Sequence, residues 1–161
     1  MELTWKTEQL KASLSQYNSY TSSWERAYFD EHNGWYLVID RERIKHSKVS
    51  KNEKAKFDKE YAMSMVFAQN GYRIEMLKEL PRIPSPDVTI NGMKADLKHV
   101  SSHNNVVRHA KKAVRKQGAE IVLFEFENNT KKIQEELDKL KIDEIKVYYY
   151  FTGNESKIHI L

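Results

Sequence analysis

Two acids and a lysine, set on either side of a turn, are the residues of this chain whose types and spacing could do chemistry. They are Pro86-Asp87, then eight residues, then Asp96-Leu97-Lys98. The intervening run, Val88 to Ala95, centres on Asn91-Gly92. Asn-Gly between short β-prone runs predicts a two-residue hairpin turn, because both central residues of such a turn need positive φ. Side chains alternate along a strand, so Asp96 and Lys98 share a face and Leu97 takes the other. A turn at Asn91-Gly92 brings Asp87 back beside that face. Two carboxylates and an ammonium then converge. Mg²⁺ and Mn²⁺ are hard cations that take oxygen ligands, typically one or two carboxylates plus substrate phosphate oxygens. A bound cation acidifies its water and neutralises charge developing on a phosphodiester, and a nearby lysine adds a point charge.

The elements that must position these residues are legible in outline. Trp5, Leu10, Leu14 and Tyr17 recur near helical spacing and predict a helix over 5–18. Ser22-x-x-Glu25 reads as a capping box opening a short helix through Tyr28 and Phe29, ended by Asn33-Gly34. Trp35 to Ile39 is a strand, and the basic run Arg41 to Val49 reads as a loop. Ser50-x-x-Glu53 is a second capping box. The helix after it runs to Gln69, with Phe57, Tyr61, Met65 and Ala68 as its apolar stripe, widened by Ala62 and Val66. Asn70-Gly71 closes it. Tyr72 to Leu77 is a strand, and Pro81, Pro84 and Pro86 punctuate a non-helical loop. The hairpin of 87–91 and 93–100 follows. After the polar turn Ser101 to Asn105, a helix runs to about Gln117 with Val107, Ala110 and Val114 inward, stopped by Gly118. Glu120 to Phe126 is an apolar, central strand. Ile133, Leu137 and Leu140 mark a further helix, and strands 144–151 and 156–161 end the chain. The fold class expected is α/β (α+β), a mixed central sheet with flanking helices. Residues 1–49 read as an accessory segment and 50–161 as the main domain.

Bulk properties narrow the function. A chain of 161 residues can bury a substantial core, and 40% apolar with 31% charged residues is globular rather than disordered. Without cysteine, disulfides and thiolate metal sites are excluded. No apolar run approaches membrane-spanning length and the first residues lack a signal-peptide core, so no membrane is expected and the location is cytoplasmic. The net charge of +4 hides an asymmetry. Lys94 to Lys116 carries seven Lys/Arg against one acid, Asp96, and Arg41 to Lys59 carries eight against three. Basic charge beside paired carboxylates points to a polyanion, most simply nucleic acid, although lysine runs more often are solvated helix faces.

The element order from Ser50 onward, with Pro86-Asp87 and Asp96-Leu97-Lys98, resembles the PD-(D/E)xK nuclease superfamily over residues 50–126. That resemblance implies an αβββαβ core and metal-dependent phosphodiester hydrolysis, with Asp87 and Asp96 as metal ligands and Lys98 beside the attacking water. It also implies an acid from the preceding helix, for which Glu60 is best placed and Glu53 the alternative, and a glutamine on the next helix, Gln117. Asn70-Gly71-Tyr72, Pro86-Asp87, Asn91-Gly92, Asp96-Leu97-Lys98 and Lys116-Gln117-Gly118-Ala119 also resemble C-terminal tRNase domains of contact-dependent-inhibition toxins and related proteins of mobile elements. This second resemblance implies delivery into a target-cell cytoplasm and a dedicated immunity partner, acidic enough to cover a basic face. It also admits metal-independent ribonucleases working through histidine, arginine and hydroxyl groups.

The remaining polar residues divide by chemistry. His99 alternates with Lys98 and faces away from the acids. His103, in the turn, is within reach of a phosphate, whereas His109 reads as a solvated helix residue. Ser102, Asn104 and Asn105 read as helix N-caps, and an N-terminus there would also favour phosphate. Arg108, Lys111, Lys112, Arg115 and Lys116 would lead a polyanion in. Tyr148 to Phe151 could stack bases but more simply alternate between core and surface. The expected function is a small endonuclease acting on DNA or tRNA with Mg²⁺ or Mn²⁺. The alternatives are a metal-independent tRNase toxin using His103 and Arg108, and a non-catalytic nucleic-acid-binding protein of a mobile element.

Overall fold

The computed structural model describes residues 2–161 and no side chain before Lys6, so Met1 and the Trp5 side chain invoked for the first helix lie outside the described residues. These contain α1 (Glu2–Ser19), β1 (Trp24–Phe29), β2 (Tyr36–Asp40), α2 (Arg41–Ser47), α3 (Lys51–Gln69), β3 (Arg73–Met76), β4 (Val88–Ile90), β5 (Met93–Val100), α4 (Val106–Lys116), β6 (Ile121–Phe126), α5 (Lys131–Ile142), β7 (Val147–Phe151) and β8 (His159–Ile160). The class is mixed α+β, with five helices and a mixed eight-stranded sheet in the order β1 to β8. From α3 to β6 the expected order of helix, three strands, helix and strand is present. The chain divides into two compact units, Met1–Lys78 with Ile90–Gly92, and Glu79–Thr89 with Met93–Leu161.

In the first unit, β1 runs antiparallel to β2 and β2 parallel to β3. The helix expected from Ser22 is instead strand β1. Its capping box is overridden because β1 pairs with β2 and Arg26 reaches back to the C-terminal end of α1, donating to the carbonyls of Tyr17, Asn18 and Tyr20. Asp30 then makes a side-chain turn, accepting the His32 and Asn33 N–H groups at 2.9 Å each, and returns the chain into β2. The basic run after β2 is a helix, not a loop. Asp40 caps it by accepting the Glu42 N–H at 2.9 Å, a single-residue signal hidden at the end of an apolar strand. Ser50 caps α3 as expected, accepting the Glu53 N–H at 3.1 Å. The buried face of α3 is Glu60, Met63, Ser64, Phe67 and Ala68, which keeps Ala68 of the expected stripe but is rotated from its Phe57, Tyr61 and Met65. The rotation follows from α2, whose buried Arg43 takes Glu60 as its partner and draws that face inward.

The second unit holds Asp87, Asp96 and Lys98 on a regular frame. β5, β6 and β7 are parallel, and β8 returns antiparallel to β7.

 β6 is buried on both faces along almost its whole length, as its unbroken apolar run predicted, and it has a strand on each side. Val122, Phe124 and Phe126 of β6 pack with Ala110 and Ala113 of α4 and with Ile133, Leu137 and Leu140 of α5. Thr130 caps α5 by accepting the Ile133 N–H at 3.2 Å. On α4 the buried residues are Val106, Ala110 and Ala113; of the expected stripe, Ala110 is buried and Val107 packs partly buried against the core, whereas Val114 is exposed. In β7, Val147 and Tyr150 are buried and Tyr148, Tyr149 and Phe151 are partly exposed, so the aromatic run serves packing.

Candidate active site

The turn that organises the site is local. Asn91 and Gly92 adopt φ of 48° and 83°, the pair of positive values that a two-residue hairpin turn requires. The strand that follows sets the direction of each side chain. Asp96 is in register with Val122 and Lys98 with Phe124, and both of those β6 residues belong to the core under α4 and α5. Asp96 and Lys98 therefore point to the helix-covered face. Leu97 and His99, in register with Leu123 and Glu125, take the opposite face.

Four of the expected residues meet. The Lys98 Nζ lies 2.8 Å from Oδ2 of Asp96, whose side chain is only 1% exposed. Asp87 is fastened to the neighbouring strand twice, its N–H donating to the Ala95 carbonyl at 3.1 Å and its Oδ2 accepting the Leu97 N–H at 2.9 Å. Its carboxyl also hydrogen-bonds that of Asp96. Gln117, at the C-terminal cap of α4, completes the group. With its amide nitrogen turned toward the acid, it donates to both oxygens of Asp96, at 2.9 Å to Oδ1. Burial, the hydrogen bond to Asp96 and the charge of Asp96 together push the Asp87 carboxyl up to about 7, against the smaller opposing effects of the Leu97 N–H and the Lys98 charge. Two carboxyls in contact in a poorly solvated place cannot both ionise readily, so the pair retains a proton close to neutral pH.

The other expected residues are placed as follows. Glu60 lies in the first unit, on the buried face of α3, and is engaged by Arg43 in an ion pair. Glu53, its alternative, lies 3.2 Å from Nε2 of His46. His99 is turned toward Glu125 and Glu127, 3.6 and 3.2 Å away, in keeping with its expected direction. Ser102 sits in the turn before α4 and accepts the Asn104 N–H at 3.3 Å, and half-buried His103 shares that turn. Asn105 is the residue that precedes α4, at φ 67°, and it caps through no side-chain bond. Arg108, Lys111, Lys112, Arg115 and Lys116 line an open groove of about 870 Å³ together with His109 and with Glu136 of α5. Lys111 is also 3.5 Å from Asp143 at the end of α5.

His109 is the residue that sequence reasoning set aside. It is partly buried, and desolvation and the positive charges of Lys98, Arg108 and Lys112 hold its imidazole below the usual histidine range. It therefore stands as a neutral imidazole within the field of the site lysine. The available signal was its position one turn after Asn105, on a helix whose small residues bring it close to β5.

Residues 84–153 match the family model described as the contact-dependent growth inhibition CdiA C-terminal domain, a segment that includes Asp87, Asp96, Lys98 and Gln117. Among solved structures, the chain is similar to one titled "CdiA-CT/CdiI toxin and immunity complex from Burkholderia pseudomallei", with a TM-score of 0.54 and 18% identity over 71% of this chain and 89% of that one. At that identity the likeness is one of fold. No curated protein matches the chain.

Proposed function

We propose that this chain is a toxin domain of the contact-dependent-inhibition kind that cleaves nucleic acid. The observation that carries the reading is the convergence of Asp87, Asp96, Lys98 and Gln117 at one poorly solvated spot beside a basic helix. The match of residues 84–153 to the CdiA C-terminal family supports the toxin part. The donor set fits Mg²⁺ or Mn²⁺, since both candidate ligands are carboxylates and the proton that they share occupies the charge a cation would replace. When bound, such a cation supplies charge neutralisation and an acidified water. Asp87 and Asp96 would hold it, Lys98 would orient the nucleophile and Gln117 would keep Asp96 in place. Arg108, Lys112, Arg115 and Lys116 would bind flanking phosphates. An immunity protein with an acidic surface would complement the same helix, and delivery into a target cell would place the domain beside its substrate. No helix among the described residues is long and apolar enough to cross a membrane.

A second reading draws on His109, a neutral imidazole near Lys98 and the basic groove. Together with His103 and Arg108 it would serve a metal-independent ribonuclease. One experiment separates the two. The protein is incubated with plasmid DNA, oligonucleotides and total tRNA, each with Mg²⁺, Mn²⁺ or EDTA. The metal reading expects cleavage that EDTA abolishes and that Asp96→Asn eliminates. Cleavage that survives EDTA and leaves cyclic-phosphate ends rejects it in favour of the histidine reading, and no cleavage of any substrate rejects both.

A further inference from the structure

The first unit has a cavity of its own, of about 360 Å³, within the roughly 300–1,000 Å³ range of small-molecule sites. Its lining includes Trp35, Gln9, Asn33, Arg73 and Asn91, all within that unit. Two features suggest a built recess rather than a gap between loops. Gly71, at φ 115°, lies against the indole, and a Cβ there would stand 3.6 to 3.9 Å from Cε2, Cζ2 and Nε1 of Trp35, so glycine leaves that part of the ring bare. Arg73 is anchored on both sides of its backbone, its N–H donating to Oδ1 of Asn91 at 2.9 Å and its carbonyl accepting the Asn91 N–H at 2.8 Å. The turn residue thus holds the strand at the place where Arg73 enters the cavity wall.

We propose that this cavity binds one nucleotide of a single strand. An indole offers a stacking surface for a base. The amides of Gln9 and Asn33 each carry a donor and an acceptor, the combination that reads a base edge. The Arg73 guanidinium is the group suited to the attached phosphate. A neutral sugar would use the indole and amides but leave the guanidinium unmatched. The inference takes its ligand class from the nucleic-acid reading above but does not require cleavage.

The test uses the full chain carrying Asp96→Asn, so that no cleavage interferes. UMP, AMP, uridine, adenosine and glucose are titrated while the Trp35 indole N–H is followed by NMR, and affinities are measured by calorimetry. The expected result is a saturable shift with the nucleotides and weaker binding of the nucleosides. Arg73→Ala should weaken nucleotide binding about tenfold. Ala12→Leu, an exposed position on α1 that lines the cavity, should weaken it to a similar degree by filling space without removing a polar group. Lys131→Ala, at an exposed position on α5 that lines neither this cavity nor the basic groove, should leave the nucleotide-induced Trp35 shift unchanged. Absence of a Trp35 shift at millimolar nucleotide, unchanged affinity in both Arg73→Ala and Ala12→Leu, or a glucose response equal to that of the nucleotides overturns the proposal. A failed titration alongside intact wild-type cleavage counts against this cavity alone. Intact titration without cleavage counts against the nuclease reading alone.

Discussion

Asp87→Asn should stabilise the protein, and by an amount that depends on pH. The Asp87 carboxyl is raised from 3.8 to about 7 by burial and by Asp96. About 3 pKa units at 1.36 kcal/mol each set an upper bound of about 4 kcal/mol on the cost of ionising it in the folded state. Residual solvent access and coupling to Asp96 reduce the expected gain to about 1–3 kcal/mol. The sign follows from proton binding. Below the unfolded value, near 3.8, the carboxyl is neutral in both states and costs nothing. Between that value and about 7, the unfolded chain releases the proton and the folded chain keeps it, so native stability falls as pH rises. Above about 7 the whole penalty is present. Asparagine is neutral throughout, can accept the Leu97 N–H as Asp87 does at 2.9 Å, and can donate to Asp96 in place of the shared proton. Urea unfolding of both proteins in EDTA, at intervals from pH 5 to pH 8, measures the difference. It should widen with pH and level off above neutrality. A difference that is flat, or that narrows as pH rises, refutes the reasoning.

Divalent cation should raise the Tm of the wild type more at pH 8 than at pH 6, because the cation competes with the shared proton, and thermal unfolding of Asp87→Asn should show little of this effect. Lys98→Met should lower the rate of phosphodiester cleavage about 10²–10³-fold while leaving a folded protein, read by single-turnover assay and circular dichroism. Arg43→Met should destabilise the first unit by about 3–5 kcal/mol, since it strands buried Glu60, and the double variant with Glu60→Leu should recover most of that loss in chemical denaturation. Replacing Lys112 and Lys116 by alanine should reduce the salt dependence of nucleic-acid binding, with the slope of log K against log salt becoming shallower by about 1–2.

Asn91-Gly92 predicted the hairpin because positive φ at two successive residues is a local property that few other pairs tolerate. Alternation along β5 predicted that Asp96 and Lys98 share a face, and the register with Val122 and Phe124 bears that out. Ser50 marked a helix start through a bond spanning three residues. The capping box at Ser22 had the same letters and no helix, because Arg26 engages the end of α1 and β1 pairs with β2. Asp40 capped α2 from the end of an apolar strand, where a capping residue is easily read as the strand's last polar position.

What the amino acids determined alone was set by near neighbours: the Asn91-Gly92 turn, the strand period, the Ser50 cap and the clustering of basic charge. The tertiary structure decided which distant groups those elements meet. Glu60 meets Arg43, His109 comes into the field of Lys98, and Asp96 is closed in by Gln117 twenty-one residues away. The loss of water around Asp87 and Asp96, on which their shared proton depends, is produced by the packing of β5 under α4, and no span of sequence short enough to read as a motif contains both elements.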